Sequence, residues 1–315
     1  MPDPMSLFFD FIITSFLVIS LLLALSIFRD RARKGTWEAR RKTFSGVMVA
    51  LLAIGWVAVF YGSFIEPELI TVNRRAIDLP NYNGPVVTAA LISDIHVGPY
   101  VGKFFINRLA KRILKLKPDF LLIGGDIVYN RPKDIELLSP IARATASIRT
   151  FAVLGDHDYI VRMDGVRTVI DDLGAEYIKK TMESFGMKVL SNESLRINDE
   201  LTLVAVNDLR SGKTDLARAF ESVDPETSKI LLSHNPDIIL NPLSKQTDLV
   251  LSGNTHGGQV RLPFIGPAAT IPDELGQKYD EGLFAFENTQ LFITSGVGSS
   301  GPRSRLFNPP EIALL

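Results

Sequence analysis

All four histidines of the chain lie in short clusters of acidic, amide and glycine residues, and each cluster directly follows an apolar run of strand length. A fifth cluster has the same position but contains no histidine. One Asp-x-His sequence after a strand is a weak signal, because loops often use such residues as caps. Five clusters placed alike indicate one shared site. The clusters are Ser93-Asp94-Ile95-His96, Gly124-Gly125-Asp126, Gly155-Asp156-His157-Asp158, Ser233-His234-Asn235 and residues 252–259.

The chemistry that these residue types favour is metal binding. Several carboxylates in one crevice would repel one another unless cations lay between them, and two divalent ions resolve that conflict. The chain has no cysteine, which excludes disulfide scaffolds and thiolate metal sites, so the metal ligands must be nitrogen and oxygen atoms. A formal net charge of -1, without a long basic block in the C-terminal part, excludes nucleic acid as the expected partner.

Strand-like and helix-like segments alternate after residue 85. Seven short, uniformly apolar runs are typical of strands buried on both faces. Phe105 to Lys117 predicts an amphipathic helix, with Pro118 just past its end. This order predicts an α/β fold in which ligand-binding loops gather beyond the C-terminal ends of the strands. The seven runs are residues 86–92, 120–123, 151–154, 201–206, 230–232, 249–251 and 291–294.

The first 65 residues predict a membrane anchor. Leu7 to Phe28 and Phe44 to Ile65 are each apolar and long enough to span a bilayer, and the alternative is a pair of buried core helices. Arg29 to Lys42 between them contains seven Lys or Arg, so the positive-inside rule places this loop in the cytoplasm and the large domain on the extracytoplasmic side. Arg74 and Arg75 weaken the asymmetry, and a cytoplasmic large domain stays open.

The motifs resemble those of the calcineurin-like metallophosphoesterase superfamily, whose blocks read D-x-H, G-D, G-N-H-D/E, H and G-H-x-H. The stretches LLSHNP, LSGNTHGGQVRLP, SGVG and NPPEI resemble its membrane-associated branch, which includes YkuE, YaeI and LpxG. The resemblance implies a four-layer αββα sandwich within the α/β class, preceded here by the transmembrane hairpin. We therefore divide the chain into a hairpin anchor (1–65), a linker with an edge strand (66–85) and a phosphoesterase domain (86–315).

Carried over by position, the resemblance also implies the ligands of two divalent ions and a mechanism. A hydroxide that bridges the ions would attack phosphorus, and His157, oriented by Asp158, would protonate the leaving oxygen or stabilise its charge. Arg303 and Arg305 are weaker candidates for binding phosphate or a polar head group, and their alternative is a role as solvated loop charges. The first ion would be held by Asp94, His96, Asp126 and His256, and the second by Asp126, Asp156, His234 and Asn254.

Two positions depart from the family pattern. Asp156 stands where the family has Asn, and Asn254 replaces the first His of the G-H-x-H block. Both changes make the second site richer in oxygen, which favours Mn²⁺ or Fe²⁺, with Mg²⁺ and Zn²⁺ as alternatives. The competing interpretation is an impaired second site in a protein that binds a phosphate ligand without hydrolysing it. A membrane scaffold that binds no metal is the third class.

The substrate is the least determined feature. A hairpin anchor would hold the site near lipid, and the apolar loop Leu262 to Pro267 either covers an acyl chain or packs on its own sheet. The branch resemblance implies a lipid-linked phosphoester or pyrophosphate such as UDP-2,3-diacylglucosamine. That substrate requires a cytoplasmic site, in conflict with the topology given by the charge rule. The particular substrate and the oligomeric state stay open.

Overall fold

A computed structural model describes residues 4–163, 167–271 and 273–315 of the chain. Two six-stranded sheets form its centre. Four of the five strand pairs in the first sheet are parallel, and β16 lies antiparallel to β2. In spatial order, this sheet contains β1 (Thr71–Arg74), β16 (Glu311–Leu314), β2 (Ala89–Ile92), β3 (Phe120–Gly124), β4 (Arg149–Val153) and β7 (Lys188–Val189).

The second sheet has a parallel centre and antiparallel edges. In spatial order, it contains β14 (Gly282–Phe286), β15 (Thr289–Ile293), β11 (Leu249–Ser252), β10 (Ser228–Leu232), β9 (Leu201–Ala205) and β8 (Glu193–Arg196). Because the central strands of each sheet are parallel, their carboxyl ends meet at one edge. The acidic and histidine clusters follow those ends.

Helices and two small hairpins complete the fold. The hairpins pair β5 (Ile160–Met163) with β6 (Arg167–Ile170), and β12 (Arg261–Leu262) with β13 (Gly266–Pro267). Short 3-10 helices occupy Glu66–Glu68, Pro132–Ile141, Pro236–Leu240, Pro242–Gln246 and His256–Gly258. The α-helices are α1 (Pro4–Arg31), α2 (Trp37–Arg40), α3 (Lys42–Phe64), α4 (Lys103–Leu116), α5 (Ala142–Thr145), α6 (Asp156–Tyr159), α7 (Asp172–Ser184) and α8 (Leu216–Phe220).

Three apolar layers separate these elements. The inner faces of the two sheets meet in a core that includes Leu91, Leu122, Leu203 and Phe292, all nearly fully buried. The outer face of the first sheet packs against α4 and α7, and that of the second sheet packs against α8 and the Pro236–Leu240 turn. Strands with both faces covered need apolar residues at every position, which explains their uniform runs. The layer order confirms the predicted αββα sandwich.

Helix α4 shows how the amphipathic pattern positions an element. Its buried side is formed by Phe105, Ile106, Leu109, Ala110 and Ile113, which recur at the helical period, while Lys and Arg occupy the other side. The helix ends at Leu116 because Lys117 adopts a left-handed conformation with φ of 52° and is followed by proline.

Helices α1 and α3 pack against each other and are long and apolar enough to cross a membrane. Only 11% and 6% of their most apolar windows are buried in the protein, which distinguishes them from core helices. The Trp56 indole N–H donates to the Leu17 carbonyl at 3.1 Å and fixes the pairing of the two helices.

Candidate metal centre

The clusters at the strand ends share an uncommon backbone conformation. Asp94, His96, Asp126, Asn254 and His256 all have positive φ, between 49° and 69°. This conformation disfavours residues with a Cβ atom and persists only where the surrounding structure enforces it. Hydrogen bonds between the clusters supply that constraint: Asp94 N–H donates to the Gly125 carbonyl at 3.0 Å, and His96 N–H donates to the Asp126 carbonyl at 3.0 Å.

One group of donors surrounds the Nε2 atoms of two histidines. His96 Nε2 and His256 Nε2 lie 3.1 Å apart, and their rings are stacked. Asp94 Oδ1 lies 3.4 Å from His256 Nε2, and Asp126 Oδ2 lies 3.4 Å from His96 Nε2. All four side chains are buried. The structure therefore brings together the four residues predicted for the first ion.

A second group shares Asp126 with the first. Asp126 Oδ1 lies 3.3 Å from His234 Nε2, which is 3.4 Å from Asp156 Oδ1. The two oxygens of Asp126 thus face different imidazoles. Within the described ranges, neither His234 Nε2 nor Asp156 Oδ1 forms a hydrogen bond although both atoms are buried. Buried polar atoms without a hydrogen-bond partner call for another ligand, and a cation fits these donors.

The donor separations also fit divalent ions. Metal–ligand bonds of about 2.1 Å give ligand–ligand edges of about 3.0 Å in octahedral and about 3.4 Å in tetrahedral geometry. The separations in both groups fall in this range. The donor atoms of Asp94, His96 and His256 lie within 4.8 Å of one another, as do those of Asp94, Asp126 and His234.

The protonation of the histidines differs between the groups. Burial holds the pKa of both His96 and His256 well below the ordinary value, aided by neighbouring histidines at His96 and by the Arg305 charge at His256. Both imidazoles are therefore neutral and able to bind a cation. Burial also lowers the pKa of His234, but Asp126 and Asp156 outweigh it and raise that pKa well above the ordinary value. A divalent ion would take the place of this proton.

Backbone geometry orients His234. Its Nδ1 pairs with the Gly124 carbonyl at 2.8 Å, which directs Nε2 into the site. Gly125 makes this approach feasible: its φ is 97°, and a Cβ atom there would lie 2.7 Å from His234 Nδ1 and 2.9 Å from the Gly155 nitrogen. The glycines of the clusters therefore make room for the ligands.

His157 lies at the edge of the site, and its ring centroid is 4.7 Å from that of His96. Its backbone N–H donates to Asp126 Oδ1 at 3.0 Å, and its Nδ1 pairs with the Tyr129 carbonyl at 2.7 Å. Burial lowers the pKa of His157, but Asp126 and Asp156 raise it above the ordinary value overall. The ring is thus held in place, and Nε2 faces away from the bond to Tyr129.

The Asp158 side chain is bound to backbone groups of the site loops. Its buried carboxylate accepts hydrogen bonds from the backbone N–H groups of Ile127 (2.9 Å), Val128 (3.0 Å) and Gly155 (2.9 Å). The His157 Nδ1 atom is bound to the Tyr129 carbonyl and not to Asp158, and a role of Asp158 in orienting the imidazole stays a prediction. Burial, with the nearby Asp126 carboxylate, raises the pKa of Asp158 to about 7. Asp158 secures the loops that carry Asp126 and Asp156.

The two residues that depart from the family pattern belong to one network. Asn254 donates its amide nitrogen to Asp273 Oδ1 at 2.7 Å, which leaves its amide oxygen as the available ligand atom. Arg210 donates to the same oxygen at 2.7 Å and lies 3.5 Å from Asp156 Oδ2. Burial opposes ionisation of Asp156, but His234 and then His157 and Arg210 lower its pKa below the ordinary value. Arg210 therefore balances the additional carboxylate.

The two arginines predicted to bind substrate make contacts within the protein. Arg305 is fully buried, and its guanidinium donates to the carbonyls of Ser295, Gly298 and Asn308 at 2.7 to 3.0 Å. Arg303 lies over the Phe64 ring, 4.8 Å from its centroid, and its Nε donates to a carbonyl of α3. Both residues stabilise the C-terminal loop, and a direct role in substrate binding stays a prediction.

Three further residues at the site, Arg210, Asp273 and Asp208, are not predicted from the sequence. Arg210 and Asp208 follow β9 in the stretch Asn-Asp-Leu-Arg, a polar cluster at a strand end like the other five. It contains neither histidine nor glycine, and each of the other five clusters has at least one of these residues. Burial raises the pKa of Asp208 to about 6. Asp273 lies in a loop without a recognisable motif.

Comparison with known proteins agrees with this geometry. Residues 87–258 match the family model described as calcineurin-like phosphoesterase. The match covers more than half of the chain, and the chain belongs to this family. Within it, the site defines a metallophosphoesterase, a hydrolase that uses divalent metal ions.

Relatives with assigned names lie in the predicted branch. The chain is 31% identical to phosphodiesterase YaeI of Escherichia coli over 81% of this chain and 91% of the relative. It is 26% identical to UDP-2,3-diacylglucosamine pyrophosphatase LpxG of Chlamydia muridarum over 86% and 97%, respectively. It is 29% identical to the metallophosphoesterase Cj0846 of Campylobacter jejuni over 94% and 75%. The resemblance to this membrane-associated branch is confirmed.

Proposed function

We propose that the chain hydrolyses a phosphoester or pyrophosphate bond in a lipid-linked substrate at a centre of two divalent ions. The observation that carries the proposal is the position of Asp126, whose two carboxylate oxygens face His96 and His234 separately. We assign Asp94, His96, Asp126 and His256 to the first ion, and Asp126, Asp156, His234 and the Asn254 amide oxygen to the second. The oxygen-rich second set favours Mn²⁺ or Fe²⁺.

When bound, the ions supply an activated water and stabilise charge on the phosphoryl oxygens. The chain itself holds His157 beside them through its contacts with Asp126 and the Tyr129 carbonyl. Asp126 and Asp156 raise its pKa above the ordinary value against the opposing effect of burial, which favours the protonated form of the imidazole. We assign His157 Nε2 as the donor of the proton that the leaving oxygen needs.

The N-terminal helices and the LpxG relative support a lipid-linked substrate. We propose the division made from the sequence: a membrane hairpin over residues 1–65, a linker over 66–85 and a catalytic domain over 86–315. The basic segment between the helices favours an extracytoplasmic catalytic domain, whereas a nucleotide-linked lipid like the LpxG substrate favours the cytoplasmic side. Protease accessibility of the large domain in intact cells separates the two topologies.

The test is hydrolysis by full-length protein in lipid nanodiscs. Protein saturated with Mn²⁺ should cleave bis-p-nitrophenyl phosphate, and it should cleave a lipid-linked pyrophosphate with higher kcat/KM. Asp126→Ala should abolish both activities, since it removes a ligand of each ion. Metal-loaded wild-type protein that binds phosphate but turns over neither substrate would show instead a binding module with an impaired second site.

A further inference from the structure

The tip of the β12–β13 hairpin is apolar and extends into solvent. Phe264 is fully exposed and Ile265 is 76% exposed, with Leu262 beside them 42% exposed. Scattered single apolar side chains are common on surfaces, but a contiguous group at a loop tip marks an interaction site. The segment Leu262–Pro267 contains no charged residue. The expectation that this loop packs on its own sheet is therefore not met at the tip.

The base of the hairpin is fixed to the catalytic domain. Arg261 donates from its side chain to the Gly257 carbonyl at 2.9 Å and to Asp280 Oδ2 at 2.7 Å. Its backbone N–H donates to the Leu306 carbonyl at 2.9 Å, and Ala268 N–H closes the hairpin on the Val260 carbonyl at 2.8 Å. The tip is thus presented by a rigid base.

The same C-terminal loop connects this base to the end of helix α3. Arg305 N–H donates to the Gly62 carbonyl at 2.8 Å, and a Cβ atom at Gly62 would lie 3.1 Å from the Arg305 carbonyl oxygen. Phe307 N–H donates to the buried carboxylate of Glu66 at 3.0 Å. Residues 305–307 therefore contact the hairpin through Leu306 and the end of α3 through Arg305 and Phe307.

Exposed apolar side chains also occur where the hairpin and the helix end meet this segment. Phe307 is 62% exposed, and Ile65, directly after α3, is 40% exposed. Phe307 N–H contacts Glu66, which directly follows Ile65 in the chain, so both exposed apolar side chains lie at the same end of α3. The metal centre borders the same hairpin. Gly258 is two residues after His256, and a Cβ atom at Gly258 would lie 3.0 Å from Pro267 Cγ in β13.

We infer that residues 262–265, with Phe307, insert into the lipid surface of the membrane that α1 and α3 span. This inference rests on the proposed membrane anchor and extends it. The catalytic domain is held against the bilayer, and the tip of the hairpin next to the metal centre lies in the lipid. A lipid-linked phosphoester then reaches the metals from the bilayer surface, with its acyl chains against Phe264 and Ile265. Aromatic and branched apolar side chains favour this interfacial position.

Site-specific fluorescence tests the inference, because the chain has no native cysteine. Single substitutions Phe264→Cys, Val86→Cys and Leu22→Cys are labelled with an environment-sensitive dye in full-length protein in phosphatidylcholine–phosphatidylglycerol nanodiscs. Lipids with a spin label on the acyl chain then quench any dye that lies in the bilayer. Val86 is the matched control, since it is exposed, apolar and located before β2, at the end of the strands opposite the metal centre.

The expected result is quenching and blue-shifted emission at positions 264 and 22, with neither effect at position 86. If the dye at position 22 is quenched but the dye at position 264 emits like the dye at position 86, the inference is overturned and the membrane anchor stands. Absence of quenching at position 22 would overturn the anchor and the inference together. None of these readouts depends on hydrolysis, so they are separable from the proposed catalytic function.

Discussion

Substitution of Asp158 by asparagine separates two accounts of this buried carboxylate. In the structure, it accepts three backbone hydrogen bonds from the loops that carry Asp126 and Asp156, and it does not bind the His157 ring nitrogen. Asparagine has nearly the same volume but only one acceptor oxygen. We therefore expect Asp158→Asn to loosen the loops and lower stability, with loss of metal affinity as the consequence.

The magnitude follows from the three contacts. The amide oxygen of the substituted side chain can still accept from the adjacent N–H groups of Ile127 and Val128. The amide nitrogen then faces the Gly155 N–H, and because both groups are donors, the Gly155 N–H loses its acceptor. At a pH well above about 7, the pKa of Asp158, the carboxylate is ionised. A hydrogen bond to a charged acceptor then contributes about 1.5–3 kcal/mol, and a buried unpaired N–H costs about 1–3 kcal/mol. Together they predict a loss of about 3–5 kcal/mol, or roughly 10 °C in Tm for a domain of this size.

The assay is thermal unfolding in detergent with chelator and again with Mn²⁺, because bound metal adds to the apparent stability. Asp171→Asn is the matched control. Asp171 caps α7 by accepting one hydrogen bond from Gly174 N–H at 2.8 Å, and asparagine caps a helix equally well. Its Tm should change little. The result that would refute this role of Asp158 is an Asp158→Asn protein whose Tm equals that of the wild type but which has lost the proton donation assigned to His157.

Three further variants test separate parts of the structure. His157→Gln should lower kcat about 100-fold with metal content unchanged, and the fall in rate at high pH should disappear from the pH profile, because it is the protonated imidazole that assists the leaving group. Arg305→Met should lower the free energy of unfolding by about 3 kcal/mol or more, since buried carbonyls lose their donor, with KM unaffected in the folded fraction. The double substitution Asp156→Asn with Asn254→His should raise Zn²⁺ affinity at the second site about 10-fold or more, measured by competition with a chelator, because an imidazole replaces an amide oxygen. A lower Zn²⁺ affinity in the double variant would contradict the ligand assignment.

The fold and the convergence of the histidines could be predicted because both follow from local pattern. Uniformly apolar runs predict doubly covered parallel strands, and parallel strands bring the residues after their carboxyl ends together. Asp94 and His256 are distant in sequence, yet both follow such ends. No exact spacing between the clusters was needed for this prediction.

Roles that depend on loop geometry could not be predicted in this way. Arg305 resembles a solvated loop charge in the sequence, but the surrounding loop directs several carbonyls at it, and only the folded backbone reveals that arrangement. Asp158 follows His157 directly, which suggests a side-chain pair. In the structure, its carboxylate instead accepts hydrogen bonds from the backbone N–H groups of Ile127 and Val128 in another loop. Arg210 contacts Asp156 across two loops, and the sequence spacing of these residues does not indicate that the loops lie close together.

The central claim is that Asp126 holds two ions at once, and electron paramagnetic resonance of Mn²⁺-loaded protein tests it directly. Ions bridged by one carboxylate lie about 3.5–4 Å apart and couple magnetically. We predict two Mn²⁺ per chain with a spin-coupled spectrum, and loss of the coupling in Asp126→Ala. A wild-type protein that shows only the signal of isolated Mn²⁺ at saturation would contradict the account.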